Sequence, residues 1–260
     1  MLNNMAFGTL LWGVFVLEVV LCSKFDALYQ EDKETPYGHL IQGDIMVPKG
    51  VAVRDRLAVK DERSKWSNGI VLYTIDSVYD DDEKKVIISA LAEIEEQTCI
   101  QFVERKDEVA YIFITSKEGC WSNVGRLGEK QIVSLQRDTC VHKGVVMHEI
   151  MHAIGFEHEH NRPDRNEYVI VIWENILPSN YFQFDIVYAF EFDTFGEPYD
   201  YKSVMHYDYK AFSKGSGPTL LPKKSSIQAT ELGEALTNDM LTEKDIKKLN
   251  KYYCDVKTTN

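Results

Sequence analysis

The sequence His-Glu-Ile-Met-His-Ala-Ile-Gly-Phe-Glu-His, at residues 148–158, indicates both the fold and a metal site. A step of four residues turns an α-helix by about 400°, so His148 and His152 lie one turn apart on the same face. Gly155 can adopt the left-handed conformation that ends a helix, which lets His158 return to the same ion. Three neutral imidazoles leave one coordination position open for water, and Glu149 stands where its carboxylate reaches that water. The spacing therefore predicts one catalytic zinc ion per chain.

Around this motif, apolar runs and helical periods predict a mixed sheet with helices packed on it. Strands are predicted at residues 70–75, 111–115 and 131–135, and helices at residues 81–97 and 144–154. Residues 161–226 are rich in aromatic residues, Pro and Gly and have little period, which predicts loops with short elements. A final helix is predicted from Thr242, with an acidic residue at its third position, as far as Cys254.

The charge of the chain bears on its partners. Its 260 residues have a formal net charge of −12, with acidic and basic side chains mixed along the sequence. No basic face is evident, which argues against nucleic acid and anionic membrane surfaces as partners. The length is enough for one sizeable core.

The first residues are predicted to be a signal peptide, residues 1–23. The stretch 6–21 is nearly all apolar and is followed by the small residues Cys22 and Ser23. The alternative is a membrane anchor, because Glu18 lies inside the apolar run and no Lys or Arg precedes it. A span needs about 20 apolar residues, so this run is short for an anchor. The mature protein is therefore expected to be secreted and extracellular.

Four cysteines remain after the predicted signal peptide: Cys99, Cys120, Cys140 and Cys254. An even number in an oxidising compartment predicts disulfides, and four cysteines allow three pairings among which spacing does not choose. The alternative is four buried free thiols. Residues 24–65, which precede the packed fold, are polar and have no sustained period, so they are predicted to be a removable pro-segment or an extended arm.

Beyond the first motif, the chain resembles the metzincin peptidases and, within them, the astacin family. The long motif continues through Glu159 to Arg162, and Ser-Val-Met-His-Tyr at 203–207 matches the family's methionine turn. The resemblance covers residues 66–254. It implies an α+β, zincin-like domain of two lobes and a secreted zinc endopeptidase made as a zymogen. The N-terminal lobe would contain a twisted mixed sheet with two long helices, and the C-terminal lobe would be largely irregular with a terminal helix.

The resemblance also implies roles for single residues. His148, His152 and His158 would bind zinc, Glu149 would be the general base, and Tyr207 would be a switchable further ligand that moves to the oxyanion. The same resemblance gives Met205 as the apolar floor of the site, Glu159 as the contact of the new N-terminus, and the disulfide pairs Cys99 with Cys254 and Cys120 with Cys140. His39, His142, His160 and His206 are interpreted as ordinary hydrogen-bonding histidines.

The pro-segment resembles the family's inhibitory segment at Ile41-Gln-Gly-Asp44, with Ile where Phe is common. Asp44 would occupy the position that water needs, as an oxygen ligand of zinc. The boundaries become 24–56 for the pro-segment and 57–260 for the catalytic domain, with Leu57 as the first mature residue after cleavage at Arg56. Cleavage after Arg54 is the alternative.

Substrates are expected to be proteins or peptides, bound in extended form against an edge strand near residues 119–124. The chain is expected to act as a monomer. The family's preference for an acidic residue after the cut is not carried over, because residues 225–243 contain no Lys or Arg. Glu129 and Asp208 stand where the family commonly has glycine and add negative charge near the cleft. The rival hypothesis is a secreted, inactive zinc-binding interaction protein.

Overall fold

The computed structural model describes residues 28–51, 62–189, 192–215 and 217–254. The predicted signal peptide, the two candidate cleavage positions Arg54 and Arg56, and the predicted first mature residue Leu57 lie outside these ranges. In the described part of the chain, no helix is long and apolar enough to cross a membrane.

One mixed sheet of eight strands forms the framework, in the order β1-β2-β3-β7-β8-β6-β4-β5. Its strands are β1 (Lys33–Glu34), β2 (Gly38–Ile41), β3 (Ile45–Pro48), β4 (Ile70–Ile75), β5 (Gln101–Glu104), β6 (Tyr111–Thr115), β7 (Cys120–Ser122) and β8 (Lys130–Leu135). Strands β5, β4, β6 and β8 are parallel neighbours, and β7 runs antiparallel to β8. The α-helices of the described residues are α1 (Asp81–Gln97), α2 (Lys143–Ala153), α3 (Glu234–Thr237) and α4 (Glu243–Tyr253).

Helices α1 and α2 form in different ways. The side chain of Asp80 accepts hydrogen bonds from the backbone at the start of α1, and Glu83 completes a capping box. Ile87, Leu91 and Ile94 then line one buried face of α1 against the core. Nearly all of α2 is buried, so it lies inside the N-terminal lobe between the sheet and the rest of the core. This central position gives the two metal-binding candidates on α2 a rigid support.

The C-terminal lobe is largely irregular, as predicted. Short 3-10 helices alternate with loops, and strands β9 (Val169–Val171) and β10 (Leu220–Pro222) form a small antiparallel ribbon. Aromatic residues, among them Phe184, Tyr199 and Tyr207, make up much of a second buried cluster. A disulfide between Cys99 and Cys254 joins the end of α4 to the strand region that follows α1. Side-chain packing and cross-linking therefore stabilise a lobe that has little regular structure.

The segment before residue 66 differs from the expectation, because it contains regular strands. Strands β2 and β3 form a hairpin that adds to the sheet beside β7, through a parallel contact between Ile45 and Ser122. Ile41 and Val47 pack on one side of this hairpin and Leu40 on the other, so both sides are buried. Such short strands with two buried sides show no alternation of apolar and polar residues, which is why no period appears in the sequence.

Candidate active site

Helix α2 and the turn after it bring the three predicted ligands together. His148 and His152 lie on one face of α2, and Gly155, with φ 109°, ends the helix and returns the chain to His158. The Nδ1 atoms of His148 and His152 each lie 2.7 Å from a backbone carbonyl oxygen, of Val204 and Phe156 respectively. Because a carbonyl oxygen only accepts hydrogen bonds, each Nδ1 donates, and the Nε2 lone pair is directed into the site.

Asp44, which lies in the predicted pro-segment, completes this cluster at the tip of the hairpin between β2 and β3. Its Oδ2 lies 3.0 Å from His148 Nε2 and 3.2 Å from His158 Nε2, and its Oδ1 lies 3.5 Å from His152 Nε2. The Nε2 atoms of His152 and His158 are 3.2 Å apart. The four side chains are buried and offer ligand atoms that all lie within 4.8 Å of one another.

The charges in this cluster fit a bound cation. Burial lowers the pKa of His158 to about 4, so its imidazole is neutral at neutral pH. Burial alone would raise the pKa of Asp44, but its contacts with the three histidines outweigh burial and hold that pKa well below the usual value. Three imidazole nitrogens and one carboxylate thus converge in a buried space, a set of nitrogen and oxygen ligands that suits a zinc ion. His148, His152, His158 and Asp44 are the residues that would bind zinc in this state.

Glu149 lies next to the cluster without joining it. Both of its carboxylate oxygens are buried, and neither has a hydrogen-bond partner within the described residues. Burial, and then the negative charge of Asp44, raise the pKa of Glu149 well above its ordinary value. A buried acid without a hydrogen-bond partner in a metal site is suited to take up and release a proton.

The Tyr207 hydroxyl is directed to the pro-segment. It donates a hydrogen bond of 2.6 Å to the carbonyl oxygen of Gln42, and the ring stacks on His160 with 3.6 Å between the ring centres. The Gln42 side chain also places its Oε1 3.2 Å from Nδ1 of His158. Sequence reasoning missed Gln42, whose only signal was its position beside Asp44 in the inhibitory motif.

Met205 and Glu159 do not belong to the group of metal-ligand candidates. Met205 is buried and lines a small cavity together with Met151, Phe156, Glu159, Phe192 and Lys248. Glu159 accepts hydrogen bonds from Arg162, Lys248 and the backbone nitrogen of Asp200. Arg162 and Lys248 therefore pair with Glu159, the residue that is expected to contact the new N-terminus after cleavage.

The other predicted residues are placed as follows. The structure contains the disulfides Cys99–Cys254 and Cys120–Cys140, the pairs that the family resemblance implies. At the edge near residues 119–124, β3 of the predicted pro-segment pairs with β7, through Ile45 and Ser122. Glu129 is exposed, whereas Asp208 accepts a hydrogen bond from the hydroxyl of Tyr29 in the pro-segment.

The remaining histidines do not enter the cluster. His206 Nε2 lies 2.7 Å from the Tyr199 hydroxyl, and His160 is buried with its Nε2 3.3 Å from the Gln183 carbonyl. His39 lies 3.0 Å from Glu34 on the pro-segment, and His142 precedes α2. The contacts of His39, His160 and His206 agree with their interpretation as hydrogen-bonding side chains.

Comparison with known proteins gives the family. A family model described as Astacin, a peptidase family, matches residues 58–254. Low choriolytic enzyme of Oryzias latipes is 39% identical over 222 residues, which cover 82% of this chain and 78% of that protein. Zinc metalloproteinase nas-6 of Caenorhabditis elegans is 38% identical over 196 residues, which cover 75% of this chain and 56% of that protein. The chain thus spans about half the length of some curated relatives, including the astacin-like metalloendopeptidase of Gallus gallus, of which 54% is covered.

A solved structure supports the same assignment. High choriolytic enzyme 1, a hatching-enzyme zinc protease from Oryzias latipes, superposes with a TM-score of 0.66 and 36% identity, covering 73% of this chain and 92% of that chain. The family model matches both lobes of the chain. The buried group of three histidines and Asp44 is consistent with a zinc peptidase. On these grounds the chain belongs to the astacin family of zinc metallopeptidases.

Proposed function

We propose that this zinc endopeptidase is secreted as a latent precursor and that Glu149 acts as its general base once the pro-segment has been removed. The observation that carries the proposal is the convergence of Asp44 and three imidazoles beside the buried, unbonded carboxylate of Glu149. Substrates are proposed to be proteins or peptides in extended form, cut by a monomeric enzyme.

The roles of the chain's own residues follow from this geometry. Zinc bound by His148, His152 and His158 would supply Lewis acidity, which lowers the pKa of a water and polarises the scissile carbonyl. Glu149 takes the proton from the attacking water and returns it to the leaving amine. Tyr207 loses its partner Gln42 when the pro-segment leaves, so its hydroxyl is then free to donate a hydrogen bond to the developing oxyanion.

Latency is proposed to depend on the hairpin tip. Asp44 lies where a water and the substrate carbonyl would have to approach the histidines, and it raises the pKa of Glu149 by its charge. Strand β3 also covers the edge of β7 that an extended substrate would need. The same segment thus opposes both substrate binding and proton transfer.

Secretion is supported by the predicted signal peptide and by the two disulfides, which form and persist in oxidising compartments. The rival hypothesis of an inactive zinc-binding protein would require the loss of Glu149 or of a ligand. Glu149 and the three histidines are all present, the histidines converge, and Glu149 lies close enough to Asp44 to be affected by its charge, so the enzyme is the favoured function.

The test is a comparison of Glu149→Gln with the parent protein, each loaded with zinc and freed of the pro-segment. We expect Glu149→Gln to keep one zinc per chain and to lose at least about a hundredfold in peptide hydrolysis, since general bases contribute at least that much. The matched control is Glu96→Gln, at an exposed position of α1, which should keep its activity. If Glu149→Gln retained most of its turnover, the general-base assignment would be wrong.

A further inference from the structure

A second contact between the pro-segment and the catalytic unit lies beside the metal site, at Tyr29. The Tyr29 ring lies with its centre 5.2 Å from that of Tyr207 and 5.4 Å from that of Phe212. Its hydroxyl donates a hydrogen bond of 2.7 Å to Oδ2 of Asp208. Tyr29 therefore fills a pocket that has two aromatic walls and a carboxylate at its end, which we call the Asp208 pocket.

The occupant of the Asp208 pocket belongs to the same block of chain as Asp44. Gln30 forms an antiparallel bridge with Gly43, next to Asp44 in the hairpin tip. A Cβ atom added to Gly43 would lie 2.5 Å from the Leu28 carbonyl oxygen and 3.2 Å from the Phe212 ring, so these segments are in close contact. Removal of the pro-segment would therefore empty the Asp208 pocket and the metal site together.

The emptied pocket would present a carboxylate without its present donor. Oδ1 of Asp208 stays bonded to the backbone nitrogen of Lys210, at 2.6 Å, whereas Oδ2 loses the Tyr29 hydroxyl. No ion pair to Asp208 is found within the described ranges, and the Lys210 ammonium lies over the Tyr209 ring, 5.3 Å from its centre. Once exposed to water, an aspartate is charged at neutral pH.

We propose that the Asp208 pocket is a substrate subsite that selects an arginine or lysine side chain next to the scissile bond. A cation entering it would form a charge-assisted hydrogen bond with Asp208 and would lie beside the rings of Tyr207 and Phe212, and the faces of aromatic rings attract cations. An acidic side chain would be repelled by the same carboxylate. The inference rests on the proposed function and adds to it the class of side chain that the enzyme recognises.

The contact with Tyr207 places the subsite beside the proposed position of the reacting atoms. The test uses the zinc-loaded full-length precursor, activated with trypsin that is then inactivated covalently. Only cleavage that a chelator abolishes is counted. The substrates are matched peptides with one variable residue, Arg, Lys, Ala, Tyr or Glu, moved through the three positions on either side of the cut.

We expect Arg and Lys to raise kcat/KM at least about tenfold over Ala at one of these positions, as charge-assisted and cation–π contacts in a desolvated site would produce. The Glu peptide should have a lower kcat/KM than the Ala peptide at the same position. Equal cleavage of the Arg and Ala peptides at every position, or a preference for Tyr over Arg, would overturn the inference. Absence of chelator-sensitive cleavage of any peptide would instead contradict the proposed function itself.

Asp208→Asn is then compared with Asp107→Asn, which removes the same charge at an exposed position of the loop after β5. The measured quantity is the ratio of kcat/KM for the Arg peptide to that for the Ala peptide within each variant. We expect the ratio to fall to about threefold or less in Asp208→Asn, because the charge-assisted contact is lost, and to stay unchanged in Asp107→Asn. An unchanged ratio in Asp208→Asn would overturn the assignment. Should Asp208→Asn not fold, the peptide series on the parent enzyme decides alone.

Discussion

At the residue scale, Asp44 is the single residue of the proposed pro-segment whose side chain contacts all three histidines. Its carboxylate is therefore the group to substitute in a test of latency. Asp44→Asn keeps the size of the side chain but removes the negative charge that makes its oxygen a strong zinc ligand. In a chain whose maturation is blocked by Arg54→Gln and Arg56→Gln, we expect hydrolysis of a short peptide to rise at least about tenfold, which corresponds to about 1.4 kcal/mol of lost blocking interaction. The rate is measured on the uncleaved protein.

Asp32→Asn is the matched control for this experiment. Asp32 lies on the same segment and accepts a hydrogen bond from Gln183, but it is not part of the metal cluster. It should leave the precursor latent. Full latency of the Asp44→Asn chain would mean that the cover over β7 alone keeps substrate out.

The sequence was informative about single residues wherever a fixed local spacing dictates geometry. His148, His152 and Gly155 are placed by the period of one helix and its end, and the grouping with His158 follows from the turn. Gln42 and Tyr29 were not predicted as part of the site. Their partners His158 and Asp208 lie 116 and 179 positions away, so only the tertiary fold brings them together.

At the scale of elements, helix α4 contacts the segment that follows the zinc motif through the side chain of Lys248. Lys248 on α4 is buried and pairs with Glu159. Removal of one partner from a buried pair generally costs about 3–5 kcal/mol, and because Arg162 still pairs with Glu159, we expect Lys248→Met to lower the free energy of unfolding by about 3 kcal/mol. Lys247→Met, which breaks an exposed pair with Glu243 on the same helix, should lower the free energy of unfolding much less than Lys248→Met. Denaturant unfolding measures both.

The same pair predicts a dependence of stability on pH. Burial alone would raise the pKa of Glu159, but Lys248 and Arg162 outweigh it and lower that pKa below its ordinary value of 4.5. Because the folded-state pKa is the lower one, this contribution to stability is present above pH 4.5 and is lost as the pH falls below it. The acid limb of the stability curve should therefore be shallower in Lys248→Met. An equally steep limb would show that other carboxylates dominate it.

Elements were predicted where their own residues carry a period or an apolar run. The strands at 70–75 and 111–115 and the helix at 81–97 are confirmed at the predicted bounds, and the second helix begins one residue early and ends one residue early. Helix α2 has no polar face to identify it, because it is buried nearly all round, and its histidine spacing located it instead. Strands β1 to β3 were missed, since they are only two to four residues long and since β2 and β3 are buried on both sides, which leaves no alternation of apolar and polar residues in the sequence.

At the scale of the whole molecule, the sheet and the metal site connect the pro-segment to the catalytic lobes in different ways. The hairpin Gly38–Pro48 pairs with the catalytic sheet through a single residue pair, Ile45 with Ser122, whereas β6 and β8 pair over five residues. Its tip also supplies Asp44 to a cluster whose ligands come from α2 and from the turn that begins the C-terminal lobe. Bound zinc would therefore connect three parts of the chain at one point.

Removal of zinc should consequently loosen the hairpin more than the central strands. A ligand that binds only the closed arrangement stabilises it, so removing the ion removes that stabilisation from the contact between Asp44 and the three histidines. We expect chelation to speed amide hydrogen exchange in residues 38–48 at least about tenfold, equivalent to about 1.4 kcal/mol of local opening free energy, with little change in β6 and β8. Asp44→Asn should show the fast exchange with or without the chelator. If chelation left the exchange of residues 38–48 unchanged, sheet pairing and apolar packing would be the dominant attachment of the pro-segment, and latency would then be released only by cutting the chain.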